Sequence, residues 1–272
     1  MSGRLISLAA GVLPEFTPVE MAKAAVAAGW PAVGIWVEPA LWTQAIAAEV
    51  RARTQDAGVA VLDVEVVWLK PGDDDPDHFR ILDAGAAVGA RNALAVSSDP
   101  DPAATAAKLG RLIDHASSSG LRVSLEFAAF TTVGTLAEAL RILDLTGRPD
   151  AGLLVDPLHF ARTGSHPGDL ASVDKKRFAY AQWCDAPATG PDVTDIPAII
   201  HEALDLRLNV GEGGLPLAAL LDQLTTDLPL SIELRSKALR KSFPDPADRA
   251  TALLVSTRSG LARLDQRATR DE

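Results

Sequence analysis

Short apolar segments alternate along the chain with segments whose apolar residues recur every three or four positions. The first pattern is typical of buried β-strands and the second of amphipathic helices. The sequence predicts strands at 5–10, 32–37, 59–69, 92–98, 121–127, 151–158, 178–185 and 228–234. It predicts helices at 17–29, 41–56, 77–89, 103–118, 135–146, 168–173, 216–226 and 246–266, with a long loop before residue 216.

Eight strand–helix pairs in one chain favour a closed barrel. Strands that are each followed by a helix pair in parallel and are covered on their outer side. A doubly wound sheet usually has about five or six strands, and no G-x-G-x-x-G follows the first strand here. No linker or repeat divides the chain, so we predict an α/β fold: a single (β/α)8 TIM barrel over residues 1–272.

Composition narrows the classes of partner. The 272 residues are 47% hydrophobic, which is enough for a sizeable core, and the net charge of −10 disfavours a nucleic-acid partner. No apolar run approaches the ~20 residues of a membrane span, and the first residues are interpreted as mature structure. The single cysteine, Cys184, excludes an intramolecular disulfide and indicates a reducing compartment, so we predict a cytoplasmic protein. The sequence is compatible with a homo-oligomer and does not determine the number of subunits.

Acidic and amide side chains lie near the carboxyl ends of the predicted strands, where such barrels carry their chemistry. These residues are Glu65, Glu126, Asp156, Gln182 and Glu233. Several carboxylates at one rim repel each other unless a cation lies between them, and oxygen donors of this kind suit a hard metal ion. The alternative is that the acids pair with Arg235, Lys70 or Arg122, or cap the helices that follow, as Asp156 would before Pro157.

Five stretches of sequence carry a resemblance to a known family: LEF (125–127), VDPLHF (155–160), QWCDA (182–186), GEGGLPL (211–217) and SIEL (231–234). Through them the chain resembles the xylose-isomerase-like TIM-barrel superfamily over essentially its whole length. That superfamily includes sugar isomerases and epimerases, keto-inositol and dehydroshikimate dehydratases, and the family-2 apurinic endonucleases. The endonuclease activity needs a histidine-rich metal cluster and a basic groove, and this acidic chain has only five histidines.

The resemblance implies one divalent ion held by Glu126, Asp156, Gln182 and Glu233. Gln182 stands where many relatives have histidine, and a neutral amide oxygen favours Mn²⁺ over Zn²⁺, with Mg²⁺ or Co²⁺ as alternatives. The Asp-x-x-His step places His159 in contact with the substrate. Ketose 3-epimerases also carry an acid and an arginine six residues beyond the ligands on the fifth and seventh strands. Here those positions are Thr132 and Ala188, which favours a different reaction outcome.

These residues predict an enzyme that removes a proton next to a carbonyl. Glu126 and Glu233 are the predicted proton carriers, and His159 polarises a substrate oxygen or protonates a leaving group. The first hypothesis is a metal-dependent isomerase or epimerase of a sugar or polyol ketone. The second is a lyase or dehydratase acting on a keto-sugar, keto-inositol, dehydroshikimate-like or 3-keto-glycoside substrate. A third, a non-catalytic binding barrel, conflicts with the intact ligand set.

Four further residues are predicted to bind substrate at the mouth of the barrel: Glu65, Trp36, Trp68 and Arg235. A tryptophan near a strand end can stack on a sugar ring, although core packing is its commoner role. Asp185 is predicted to orient Gln182 or a nearby loop.

Overall fold

The computed structural model describes residues 3–268, and its centre is a sheet of eight parallel strands. They are β1 (Ile6–Leu8), β2 (Ala32–Trp36), β3 (Ala60–Leu69), β4 (Asn92–Ser97), β5 (Arg122–Glu126), β6 (Gly152–Leu154), β7 (Ala181–Trp183) and β8 (Leu230–Ile232). Their order, β6-β5-β4-β3-β2-β1-β8-β7, curls the sheet so that β6 approaches β7, where one bridge joins Leu153 to Phe178. The nearly closed barrel confirms the predicted fold.

The helices cover the outer face of the barrel. They are α1 (Pro18–Ala28), α2 (Gln44–Asp56), α3 (Pro76–Val88), α4 (Pro102–Ser117), α5 (Leu136–Leu145), α6 (Pro157–Arg162), α7 (Ile196–Asp205), α8 (Leu217–Gln223), α9 (Lys237–Ser242) and α10 (Pro246–Ala268). Within residues 3–268, none of them is both long enough and apolar enough to cross a membrane.

Local sequence sets most of the helix starts. The Thr17 hydroxyl accepts from the backbone N–H of Glu20, whose carboxylate accepts in return from the Thr17 backbone, and Pro18 fills the first turn of α1. This reciprocal cap satisfies two donors that a helix start leaves unpaired. Gly29 ends the same helix at φ 76°, a conformation that glycine adopts without strain.

The structure corrects the predicted strand at 151–158, which ends at Leu154. Asp156 and Pro157 instead begin α6, because the Asp156 carboxylate accepts from the backbone N–H of Leu158 at 2.7 Å and proline suits a first helical turn. His159 therefore lies on a helix rather than at a strand end. The predicted helix at 168–173 is a 3₁₀ turn over Pro167–Ser172.

A second correction concerns the long loop predicted before residue 216, which contains α7. This helix is joined to α6 by a buried ion pair in which Arg162 donates to both carboxylate oxygens of Glu202, at 2.7 and 2.8 Å. Arg162 also donates to the carbonyl of Pro187 at 2.8 Å, so one side chain holds both the helix and the loop that precedes it. The basic residues Lys237, Arg240 and Lys241 lie on the short helix α9.

We predict that Glu202→Leu lowers the free energy of unfolding by about 3–5 kcal/mol, because it leaves the Arg162 charge buried without a partner. The matched control is Arg53→Met, which breaks the exposed Arg53–Glu49 pair and should cost at most about 1 kcal/mol. Urea denaturation of the two variants measures both values. Equal losses would show that the buried pair is no more important than a surface pair.

Candidate active site

A cavity of about 180 Å³ opens at the carboxyl ends of the strands, where the sequence predicts the site. Its polar lining consists of Glu65, Glu126, His159, Gln182, Arg207, Glu233 and Arg235. All of these except Arg235 are buried. The cavity brings together on one floor side chains from β3, β5, β7, α6 and the segments that follow α7 and β8.

Glu126, Asp156 and His159 form a cluster at one side of this floor. One ligand atom from each lies within 4.8 Å of those from the other two, a spacing that allows the three to share a metal ion. Glu126 ends β5, and its Oε1 atom has no hydrogen-bond partner within the described part of the chain. Asp156 caps α6 and also belongs to this cluster, so a helix-cap role and a role in the site are compatible for this residue.

Arg207 is the site residue that the sequence analysis missed. Its guanidinium contacts the carboxylates of Asp156 and Glu233, the latter at 2.8 Å, and donates to the Cys184 sulfur at 3.2 Å. Of the cations expected to neutralise the acids, Arg235 lines the cavity, and its charge acts to lower the pKa of Glu65 and of Glu233. Arg122 instead donates to the carbonyls of Asp150 and Lys176. Arg207 is 3% exposed, so its charge acts on the acids with little screening by water.

The backbone around Arg207 explains why it points inward. Leu206 and Leu208 form antiparallel bridges with Ser236 and Asp185, and the Arg207 N–H donates to the carbonyl of Arg235 at 3.2 Å. The segment therefore crosses the ends of β7 and β8 like a short additional strand. Position 188, where ketose 3-epimerases carry an arginine, is an alanine here. Arg207, which follows α7 in the same connection between β7 and α8, supplies an arginine to the site.

Burial and charge separate the acids into different protonation states. Burial, together with the charges of Asp156 and Glu233, raises the pKa of Glu126 well above its ordinary value. Burial raises the pKa of Glu233 to about 7 although Arg207 opposes the shift. Burial also acts to raise the pKa of Asp156, but Arg207 and His159 outweigh it and the net shift is downward. The one positive charge of Arg207 does not balance the negative charges that Glu126, Asp156 and Glu233 carry when they are ionised.

His159 is neutral in this setting, because burial lowers its pKa to about 4. Its Nε2 atom lies 3.4 Å from the Arg207 guanidinium, which can only donate, so Nε2 must accept and the ring proton belongs on Nδ1. The Nδ1 atom has no partner within residues 3–268. It is therefore a donor without an internal acceptor.

Glu65 and Gln182 line the same floor. The Gln182 amide nitrogen donates to Glu65 at 3.2 Å, which leaves the amide oxygen as the atom available to a cation. Burial raises the pKa of Asp63 to about 6 and that of Glu65 well above its ordinary value, and their two carboxyl groups hydrogen bond to each other. This pair is therefore expected to hold a proton at neutral pH.

Three of the predicted substrate-binding residues, Trp36, Trp68 and Arg235, lie around the mouth of the cavity. The Trp68 indole N–H donates to the Ser98 hydroxyl at 2.9 Å. All nine residues predicted as catalytic, metal-binding or substrate-binding lie in or beside one pocket; their roles stay predictions. Thr132 does not line it, since its hydroxyl donates to the carbonyls of Ser97 and Asp99.

Asp185 organises the loop that follows Arg207. Its carboxylate accepts from the backbone N–H groups of Gly211, Gly213 and Leu215 at 2.9–3.1 Å, so of the two roles proposed for it the structure supports the loop. A Cβ at position 213 would lie 2.3 Å from the carbonyl of Ala186, which explains a glycine there. Glu212 faces solvent and accepts from Asn209 within the turn.

Comparison with known proteins identifies the family. The model of a protein family described as xylose isomerase-like TIM barrel matches residues 22–255 of this chain. The chain therefore belongs to that family. A search of curated proteins found no match.

Solved structures share the fold at low sequence identity. A xylose isomerase-like TIM barrel/4-hydroxyphenylpyruvate dioxygenase fusion protein superposes with TM-score 0.79 at 22% identity, over 98% of this chain but only 44% of that one. The IOLI protein with a bound zinc atom gives 0.73 at 17% identity, over 95% and 97%. D-allulose 3-epimerase from Methylomonas sp., in complex with D-allulose, gives 0.65 at 16% identity, over 94% and 96%.

We predict that Arg207→Met destabilises the protein in a pH-dependent manner. Without the guanidinium, Asp156 loses the interaction that keeps its pKa low, so the stability it contributes above its unfolded pKa disappears. We expect a loss of about 3–5 kcal/mol near pH 8, shrinking as the pH falls and the buried acids protonate in both proteins. Urea denaturation at a series of pH values measures this. A deficit independent of pH would mean that Arg207 acts through packing alone.

Proposed function

We propose that the protein is a divalent-metal-dependent enzyme that removes a proton next to the carbonyl of a sugar or polyol ketone and returns one as an isomerase or epimerase. The observation that carries the proposal is the convergence of Glu126, Asp156, Gln182 and Glu233, with His159, at the carboxyl ends of the barrel strands. A carbohydrate-bound epimerase with the same fold supports a small carbohydrate as substrate.

The residues present fit a divalent ion. The proposed donors are carboxylate and amide oxygens, and Glu126 Oε1 lies buried without a partner within the described part of the chain. Arg207 contacts one oxygen of Glu233, at 2.8 Å, so the other is available. The acids of the site outnumber the two arginines that line the cavity, Arg207 and Arg235, and a divalent ion would neutralise the remaining negative charge. A structural neighbour that binds a zinc atom supports a metal-dependent protein, and the oxygen-rich donor set leads us to propose Mn²⁺.

Each residue has a distinct part in the proposed reaction. When bound, the ion supplies a Lewis acid that makes the carbon next to a carbonyl more acidic. Glu126 takes the proton, because its Oε1 atom has no other partner and the raised pKa of its carboxyl group strengthens it as a base. Glu233, which follows β8 and is held by Arg207, delivers its own proton from the other side, and Glu126 keeps the proton that it removed until exchange with solvent resets both residues. The free Nδ1–H of His159 donates to a substrate oxygen.

A lyase or dehydratase is the second candidate, and one observation favours it. Thr132 stands at the position of the acid found in ketose 3-epimerases, and its hydroxyl is used by backbone carbonyls outside the cavity. In this alternative the same proton abstraction is followed by loss of a β-substituent, and His159 Nδ1–H protonates the departing oxygen. Its substrates would be keto-sugars, keto-inositols, dehydroshikimate-like compounds or 3-keto-glycosides.

We predict that the protein binds one Mn²⁺ and that Gln182→His shifts the preference toward Zn²⁺ or Co²⁺, because imidazole is a softer donor than an amide oxygen. Gln182→Ala should weaken Mn²⁺ binding by about tenfold or more, and the control Gln223→Ala, at the end of α8, should leave it unchanged. Competition titrations followed by metal analysis measure the preference. Identical preferences in wild type and Gln182→His would place residue 182 outside the metal coordination sphere.

We predict that Glu126→Gln keeps the metal but loses ~10²–10⁴ in turnover, since an amide can ligate but cannot accept the proton. The readout is deuterium uptake from D₂O at the carbon next to the carbonyl, with a panel of keto-sugars and keto-polyols. The control is Glu212→Gln, an exposed acid in the adjacent turn. Undiminished exchange in Glu126→Gln would overturn its role, and no exchange by the wild type with any member of the panel would overturn the proposed reaction.

A further inference from the structure

In this cavity most polar side chains are buried and some large apolar ones are exposed, which is the reverse of the usual arrangement at a protein surface. Apart from Arg235, which is half-buried at the mouth, the charged and polar residues of the floor are buried, with Glu233 at 6% exposure, whereas three apolar or aromatic lining residues are open to solvent. Trp68 is 36% exposed, Ile200 37% and Leu204 38%. Exposed apolar side chains beside a polar site indicate a surface that something covers during function.

Two of these rim residues come from one face of α7. Ile200 and Leu204 are four residues apart, so they lie one above the other on the helix, and both line the cavity. The buried pair of Glu202 with Arg162 holds the helix in this orientation. Ile196, one turn earlier and 38% exposed, does not line the cavity. The fold therefore holds Ile200 and Leu204 against the cavity, where they form its apolar wall.

The aromatic residues opposite α7 offer flat surfaces rather than hydrogen bonds. The Trp68 N–H is already satisfied by Ser98, and Phe130 packs its ring at 75° to that of His159, with ring centroids 5.2 Å apart. Phenylalanine, leucine and isoleucine carry no polar side-chain group to bind a hydroxyl. Sugar hydroxyls placed against these apolar residues, away from Arg235, would therefore lose hydrogen bonds to water without replacing them.

We propose that the substrate carries an apolar, ring-sized substituent, an aryl group, beside its keto and hydroxyl groups. The polar part rests on the floor near Glu126 and His159, and the aryl ring lies between Trp68 and the α7 residues Ile200 and Leu204. This inference rests on the proposed function for the orientation of the polar part, and it adds the chemical class of the rest of the substrate.

The test compares two probes that differ only in the substituent, methyl and phenyl 3-keto-β-D-glucopyranoside, by isothermal titration with the Mn²⁺-loaded protein and again in EDTA. We expect the phenyl compound to bind about tenfold or more tightly, as burial of a ring allows. In Ile200→Ala and in Leu204→Ala this ratio should fall to about threefold or less. The matched control Ile196→Ala alters the same helix and residue type outside the cavity and should keep the wild-type ratio.

Equal affinities for the two probes, or no binding of either, would overturn the inference. So would a dimer in sedimentation that Ile200→Ala dissociates, because a second copy would then cover the rim. The proposed function fails by other results, namely no metal binding and no deuterium exchange. The affinity ratio measured in EDTA does not depend on either of them, so the two failures are distinguishable.

Discussion

The contact of the Arg207 guanidinium with the carboxylates of Asp156 and Glu233 is the interaction on which the site depends. Acids from separate strand ends can share a dry cavity only if a cation lies among them or some of them hold a proton, because the desolvation of unpaired carboxylates is costly. Arg207 gives part of that charge and leaves the remainder, around Glu126, unbalanced. This excess of negative charge would destabilise the protein by itself. It also makes a divalent cation a suitable ligand.

The barrel and the site are built from shared parts. Asp156 starts α6 through its backbone contacts and at the same time meets Arg207, so a helix cap and a site residue are one side chain. Arg162, at the other end of α6, holds α7 through Glu202. The short helix between them therefore links the polar floor to the apolar wall. A change in either ion pair is therefore expected to shift residues around the whole mouth of the barrel.

The separation of polar floor from apolar rim also suits the chemistry. Buried carboxylates whose pKa values are raised, as for Glu126 and Glu233, need protection from bulk water to keep that property. An apolar substituent that closes the mouth would complete this protection when the substrate binds. Recognition of the substrate and exclusion of water would then be performed by the same residues of α7 and β3.

Sequence alone determined the barrel, because strand alternation and helical periodicity are local patterns, and it placed Glu126, Gln182 and Glu233 at strand ends. Proline and aspartate before His159 could have revealed α6, since a cap followed by a first-turn proline is a local signal. Only the tertiary structure decided that Arg207 enters the site. It lies 51 residues from Asp156 along the chain, and two antiparallel bridges and a helix within a loop aim it inward. Such long-range pairing follows from the packed fold, and no local pattern around residue 207 encodes it.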